Sequence, residues 1–203
     1  MKNIMRFTLS SIGVFLLIIS MGFNKPSTEN IVKDFSLLNV DGKQVSLSNY
    51  PDAKGFIIVF TCNHCPFAAL YPQRLNDLSE KYVKLGMPLI AISSTDTVTY
   101  EEDSFANMVE KAKNEDFKFP YLYDNTQVVA KDFKADKTPH AFIIWKENGA
   151  WVVKYNGAID DNGYEPKKVT KPFLANAVDA LLNNKEIAVK ETKSLGCQIH
   201  FRK

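Results

Sequence analysis

Arginine is nearly missing from this chain: of 25 basic residues all but Arg6, Arg74 and Arg202 are lysine. The lysines are scattered and the formal net charge is +2, so there is no basic stripe of the kind that grips nucleic acid. Internal repeats and low-complexity tracts are also absent. Cysteine is limited to Cys62, Cys65 and Cys197, and none of them lies near the N-terminus, which argues against a lipid-anchored bacterial lipoprotein. What is present is 203 residues that are 45% hydrophobic, 12% aromatic and 24% charged. That composition describes one soluble globular domain with a short extension.

The extension is N-terminal. Lys2 and Arg6 precede an uncharged stretch from Phe7 to Asn24 containing "VFLLIIS", and the chain then turns polar. This reads as an export signal over residues 1–22, with the small residues Ser20 and Gly22 placed before a cut ahead of Phe23. An uncleaved anchor is the alternative, since the stretch approaches the ~17–25 residues that span a bilayer. In either case the body of the protein is expected outside the cytoplasm, in a bacterial periplasm. Cysteines there readily form disulfides.

Residues 23–32 read as a polar linker, 33–185 as the folded domain, and 186–203 as a C-terminal tail carrying Cys197, whose structure the sequence does not place. Alternating runs around Asp41-Gly42 predict a hairpin. "GFIIVF" (55–60) is a continuous apolar run, as in a strand buried on both faces. A helix follows, with Phe67, Tyr71, Leu75, Leu78, Tyr82 and Leu85 on one face, ending at Gly86. "PLIAIS" (88–93) gives the next strand, followed by helices near Phe105–Ala112 and Val128–Val129. This order calls for a parallel βαβ unit. "AFIIW" and "WVVKY" flank Asn148-Gly149 and predict a second hairpin, and a last helix carries Phe173, Leu174, Ala177, Val178 and Leu181.

The chemistry concentrates in "TCNHCP" (61–66). Cys62 follows a buried strand and precedes a helical pattern, so its sulfur is expected at a helix N-terminus, where the dipole favours the thiolate. Thiolates are the nucleophiles of disulfide exchange, and Cys65, one turn on, is placed to resolve a mixed disulfide. His64 is expected to tune the Cys62 sulfur. A bracing role is the weaker reading, because a disulfide closing so short a loop removes little unfolded-state entropy. Haem attachment needs His directly after the second Cys, where Pro66 stands. Cys62, Cys65, Cys197 and His200 together offer a Cys3His zinc set, with its halves separated by most of the chain.

These residues resemble the thioredoxin-like superfamily, and within it proteins with a redoxin or alkyl-hydroperoxide-reductase-like (AhpC/TSA-type) domain. "CNHCPF", "FPYLYDNTQVVAKDFKADKTPHAFII" and the late "GC" carry the likeness, over Val32 to Leu182. The resemblance implies an α/β thioredoxin fold, a mixed sheet flanked by helices with an extra N-terminal hairpin. It makes Pro72 a helix-kink proline and Pro139 a cis-proline that packs with Thr138 against the dithiol. Thr61, Thr138 and Pro139 are then substrate-positioning residues, and the implied activity is thiol-disulfide exchange with Cys62 attacking and Cys65 resolving. No cofactor or metal is assigned, because the disulfide itself carries two electrons. The implied partners are protein thiols and disulfides and a membrane-bound or soluble redox partner, with no nucleic acid and no membrane contact beyond the N-terminal anchor.

Several departures from that family stand out. Thr61 replaces the usual Trp, and "GFIIVF" lacks the acid that usually accepts the Cys65 proton. Peroxiredoxins place Thr three before their cysteine and bring an arginine from a later strand. Val59 and Cys62 occupy those places here, and no arginine lies between Arg74 and Arg202, so peroxidase chemistry is disfavoured. A copper-carrying relative with a distant His suggests His140 as a ligand beside "CNHCP"; copper or zinc binding is therefore the alternative function. For Cys197 three readings stay open: a free thiol, a third member of the relay, or an intermolecular disulfide. "YEEDS" (100–104), "EPKKVTK" (165–171), Asp160 and Asp161 read as solvated starts and turns.

Overall fold

The computed structural model describes residues 31–202. The expected export segment and most of the linker lie outside the described residues. The last two linker positions, Ile31 and Val32, form β1 and pair with Val152 and Trp151.

The fold grows from β4 (Gly55–Phe60), buried at every position. Because side chains alternate across a strand, Phe56, Ile58 and Phe60 enter one core, while Ile57 and Val59 enter another. Each such side chain contributes about 1.5–3 kcal/mol on burial. β4 runs parallel to β5 (Leu89–Ser93), and β5 parallel to β6 (Tyr121–Tyr123). On its other edge β4 pairs antiparallel with β8 (His140–Glu147), which turns at Asn148-Gly149 into β9 (Ala150–Gly157). Both turn residues have positive φ, 51° and 82°, which Asn and Gly tolerate. The hairpin of β2 (Ser36–Asn39) and β3 (Gln44–Ser46) extends the sheet beyond β6. The order is β1-β9-β8-β4-β5-β6-β2-β3.

One face is covered by α1 (Pro72–Val83), α2 (Phe105–Asn114) and α4 (Phe173–Leu182), through Leu75, Tyr82, Met108, Leu174 and Val178. The other is covered by α3 (Val128–Phe133), through Val129, Ala130 and Phe133. This is the mixed sheet with flanking helices of the thioredoxin fold. Among the described residues no helix is long and apolar enough to cross a membrane.

Two expectations about the first helix are corrected. The α-helix does not start beside Cys62, because Ala68–Leu70 form a 3-10 turn and α1 opens only at Pro72. Pro72 therefore sits in the first turn, where its missing N–H costs nothing, and is not an interior kink. The apolar spacing from Phe67 onward runs through the 3-10 turn without marking the change.

The register of β4 on β8 sets the site. Phe60 lies opposite His140, and two further steps bring Cys62 beside Thr138. Thr138 belongs to β7 (Lys137–Thr138), which pairs with β10 (Cys197–Gln198) of the tail, Cys197 opposite Thr138. Thr138 is thus flanked by Cys62 on one side and Cys197 on the other.

Candidate active site

Both cysteines of the CxxC are free and 0% exposed. The Cys62 Sγ lies 3.0 Å from Thr138 Oγ1, and the Cys65 thiol donates to the Thr138 carbonyl at 3.1 Å. The two sulfurs are within hydrogen-bonding reach of each other, and Cys65 reaches Cys197 as well. The Thr138–Pro139 bond is cis. Thr61 is buried and held by its amide, which donates to the Ile92 carbonyl at 2.9 Å.

The charge distribution differs from the one expected for a sulfur at a helix start. The Cys62 thiol is pushed up, first because it donates to Cys65, then by burial and by the Asp103 carboxylate. Cys65 is drawn below the usual thiol range, first by that same Cys62 donor; the Cys197 thiol and the amides of Ala68 and Cys197 add to it against the opposing effect of burial. As a thiol Cys65 donates to Thr138; as a thiolate it collects these donors. Between them the two sulfurs share one proton, which lets the buried pair carry one thiolate.

His64 is held from two sides, and one of its partners is held in turn. Its Nδ1 bonds the Asp103 carboxylate, its ring stacks on Tyr100 with centroids 4.0 Å apart, and the Tyr100 hydroxyl meets His200 Nε2 at 3.0 Å. Asp103 also accepts the Asn63 amide, and Asn63 in turn accepts from the Tyr121 hydroxyl at 3.0 Å. Donor atoms of Cys62, His64 and Asp103 all lie within 4.8 Å of one another. Asp103 is 0% exposed. A buried carboxylate thus reaches the site from the turn Glu101–Asp103, beside Cys62 and not beside Cys65, which corrects the reading of "YEEDS" as wholly a solvated helix start. An acidic run before a helix carries no local mark of one buried member.

The profile of the AhpC/TSA family matches residues 28–161. The chain belongs to the AhpC/TSA family. Among solved structures, this AhpC/TSA protein is 36% identical to an uncharacterized conserved protein from Geobacillus kaustophilus, over 85% of this chain and 90% of that one, with a TM-score of 0.77. It is 30% identical to a hypothetical protein from Sinorhizobium meliloti 1021, over 87% and 95% of the two chains, also at 0.77. The pneumococcal exposed lipoprotein thioredoxin from Streptococcus pneumoniae shares the fold, at 18% identity over 75% and 99% and a TM-score of 0.54. Comparison with curated proteins returned no match.

The described arginines of this AhpC/TSA protein are engaged elsewhere. Arg74 binds Asp160 at 2.7 Å and Arg202 binds Asp96 at 2.8 Å. Asp160, read from sequence as a turn former, is buried and also accepts from the Tyr71 hydroxyl at 3.2 Å. His140 does not turn toward the thiols: its Nε2 meets Asn156 Oδ1 at 2.5 Å, its Nδ1 lies 3.3 Å from Asp136, and burial holds its pKa down. His200 is spent on Tyr100. The geometry therefore gathers neither ligand set expected from the sequence.

Proposed function

We propose that this protein is an exported thiol-disulfide oxidoreductase in which Cys62 and Cys65 interconvert between dithiol and disulfide. The observation that carries the reading is the shared anchorage of both sulfurs on Thr138, one on its hydroxyl and one on its carbonyl. That arrangement holds two thiols side by side in a water-poor site, with one of them favoured as the thiolate nucleophile. One sulfur of the pair attacks and the other resolves, and His64, whose ring Asp103 orients, stands beside Cys62 to take its proton. Membership of the AhpC/TSA family and the thioredoxin fold agree with redox thiol chemistry. Export rests on the N-terminal Lys2, Arg6 and apolar stretch.

Peroxidase chemistry fits less well, because among the described residues no guanidinium reaches the thiols. The metal alternative survives only with a different ligand set, Cys62, His64 and Asp103. One experiment separates these readings. Equilibration of the reduced protein with glutathione buffers should give a single two-electron transition between ~−270 and ~−120 mV, lost in Cys65→Ser. Stoichiometric zinc retained against a modest chelator, with no such transition, would replace the redox reading by metal binding.

A further inference from the structure

We infer that Cys197 is the entry thiol of a three-thiol relay, taking the incoming disulfide of a protein or peptide and passing it through Cys65 to Cys62. The inference rests on the oxidoreductase reading above and adds where exchange begins.

Access argues for it first. Cys62 and Cys65 are both sealed from solvent, whereas Cys197 is partly exposed. Disulfide exchange requires that the attacking sulfur reach the target. A partner cannot meet the buried pair directly while the tail is in place, and the tail is fastened on both sides of Cys197. The Thr192 amide donates to Asn156, the Ile199 amide donates to Asp136, and the Ile199 side chain enters the core. Gln127 donates to the His200 carbonyl at 2.7 Å, and Arg202 closes the end on Asp96. A strap held this way is part of the site.

Gly196 shows how closely the tail is fitted. A Cβ there would overlap the Thr138 carbonyl and crowd the Pro139 nitrogen, so only glycine lets the strand lie on β7. The pairing is the one by which an added strand docks on a sheet edge, main chain to main chain. Here the chain supplies the strand itself and delivers a thiol with it. Cys65 is the shared member of the cluster, reaching both other sulfurs. Burial, then the Cys65 sulfur beside it, raises the Cys197 thiol. A cleft of about 350 Å³ lined by Phe67, Pro139 and the exposed Tyr164 and Leu195 reaches the thiol cluster through Phe67, which packs against it as Cys197 does, and offers an apolar side chain a seat.

The steps balance. Cys197 gives its proton to water and attacks one sulfur of the incoming disulfide; the first leaving thiolate takes up a proton from water. Cys65, as the thiolate of the pair, attacks the Cys197 sulfur and expels the second half as a thiolate. Cys62 loses its proton toward His64 and attacks the Cys65 sulfur, and the released Cys197 thiolate takes up a proton. One disulfide is reduced to two thiols, one Cys62–Cys65 disulfide forms, and Cys197 is regenerated. Run backwards, the same steps oxidise a partner's dithiol.

The test mixes reduced full-length protein with oxidised glutathione, quenches with acid, alkylates, and maps each cysteine by peptide mass. In the wild type glutathione should appear first on Cys197, followed by the Cys62–Cys65 disulfide. Cys62→Ser should accumulate a Cys65–Cys197 disulfide, and Cys197→Ser should slow Cys62–Cys65 formation by at least about 10-fold. Glutathione found first on Cys62 or Cys65 overturns the relay. An unchanged or faster Cys197→Ser also overturns it, the faster case making the tail a mere cover. If Cys197→Ser does not fold, the wild-type order and the Cys62→Ser product still decide. A wild type that never forms Cys62–Cys65 would remove the oxidoreductase reading itself, a different failure from a wrong entry point.

Discussion

Of the four aspartates buried among the described residues, Asp103 and Asp160 are partnered in opposite ways. Asp160 faces Arg74, whose guanidinium also binds the Leu70 and Asn162 carbonyls and stacks on the Tyr71 ring at 3.9 Å. Asp103 faces His64 and the Asn63 amide, with the Cys62 sulfur close by. Arginine never releases its proton, so the first pair is a fixed brace that ties the start of α1 to the loop after β9. An imidazole ring, unlike a guanidinium, has a nitrogen able to accept a proton, so the second pair is placed to take one from a neighbouring thiol. These two buried acids thus differ, one structural and one chemical, according to the cation beside each.

Breaking the brace should give the largest effect. Arg74→Met leaves the Asp160 charge buried and alone, a change that costs about 3–5 kcal/mol. In a chain of this length that lowers Tm by roughly 10 °C, read by calorimetry, with thiol exchange at low temperature close to wild type. If exchange fell as steeply as stability, the two aspartates would not be separable in role.

The second change sharpens the contrast from the other side. Asp103→Asn keeps the volume and removes the carboxylate, so exchange with a model disulfide should slow by about 10²-fold, the usual scale for one acid–base group. Tm should fall less than in Arg74→Met. His64→Gln combined with Asp103→Asn should cost little more than either alone, since residues acting as one unit are not additive. Fully additive losses would show that the two do not act together on the Cys62 proton.

How far these roles were legible depends on sequence distance. β4, both hairpins and all four helices, apart from the start of the first, follow from local periodicity and turn residues, and the pairing of Cys62 with Cys65 from their spacing. β1, β7 and β10, of two residues each, exist only through distant partners, and the short β6 was likewise unmarked. Asp103 looked like one of several acids at a helix start, and Asp160 like one of a pair in a turn. Their burial is decided by His64 and Arg74, 39 and 86 residues away. The same holds for the tail: "GC" is visible in the sequence, but that Gly196 exists to lie on Thr138 follows only from the fold.

The smallest effect distinguishes a proton acceptor from a mere neighbouring charge at Asp103. Cys62 keeps its proton in the folded, reduced protein to a higher pH than the ordinary thiol value of 9.0. Above that pH the unfolded chain releases the proton and the folded chain does not, so this group's contribution to stability falls as pH rises. The slope for one proton is about 1.4 kcal/mol per pH unit. Cys65, shifted the other way, adds no slope above 9.0, since both states are then ionised. Cys197, raised to about 11, acts in the same direction as Cys62 over this range, and buried tyrosines such as Tyr121 join from about pH 10. The Cys62 part is therefore read between these limits, as the difference in denaturant stability between the wild type and Cys62→Ala. Because the Cys65 bond and burial outrank Asp103 among the causes, Asp103→Asn should keep most of the slope while losing most of the exchange rate. A slope that vanished with the Asp103 charge would mean that Asp103 works by raising the Cys62 pKa, and its likeness to a proton acceptor would fail.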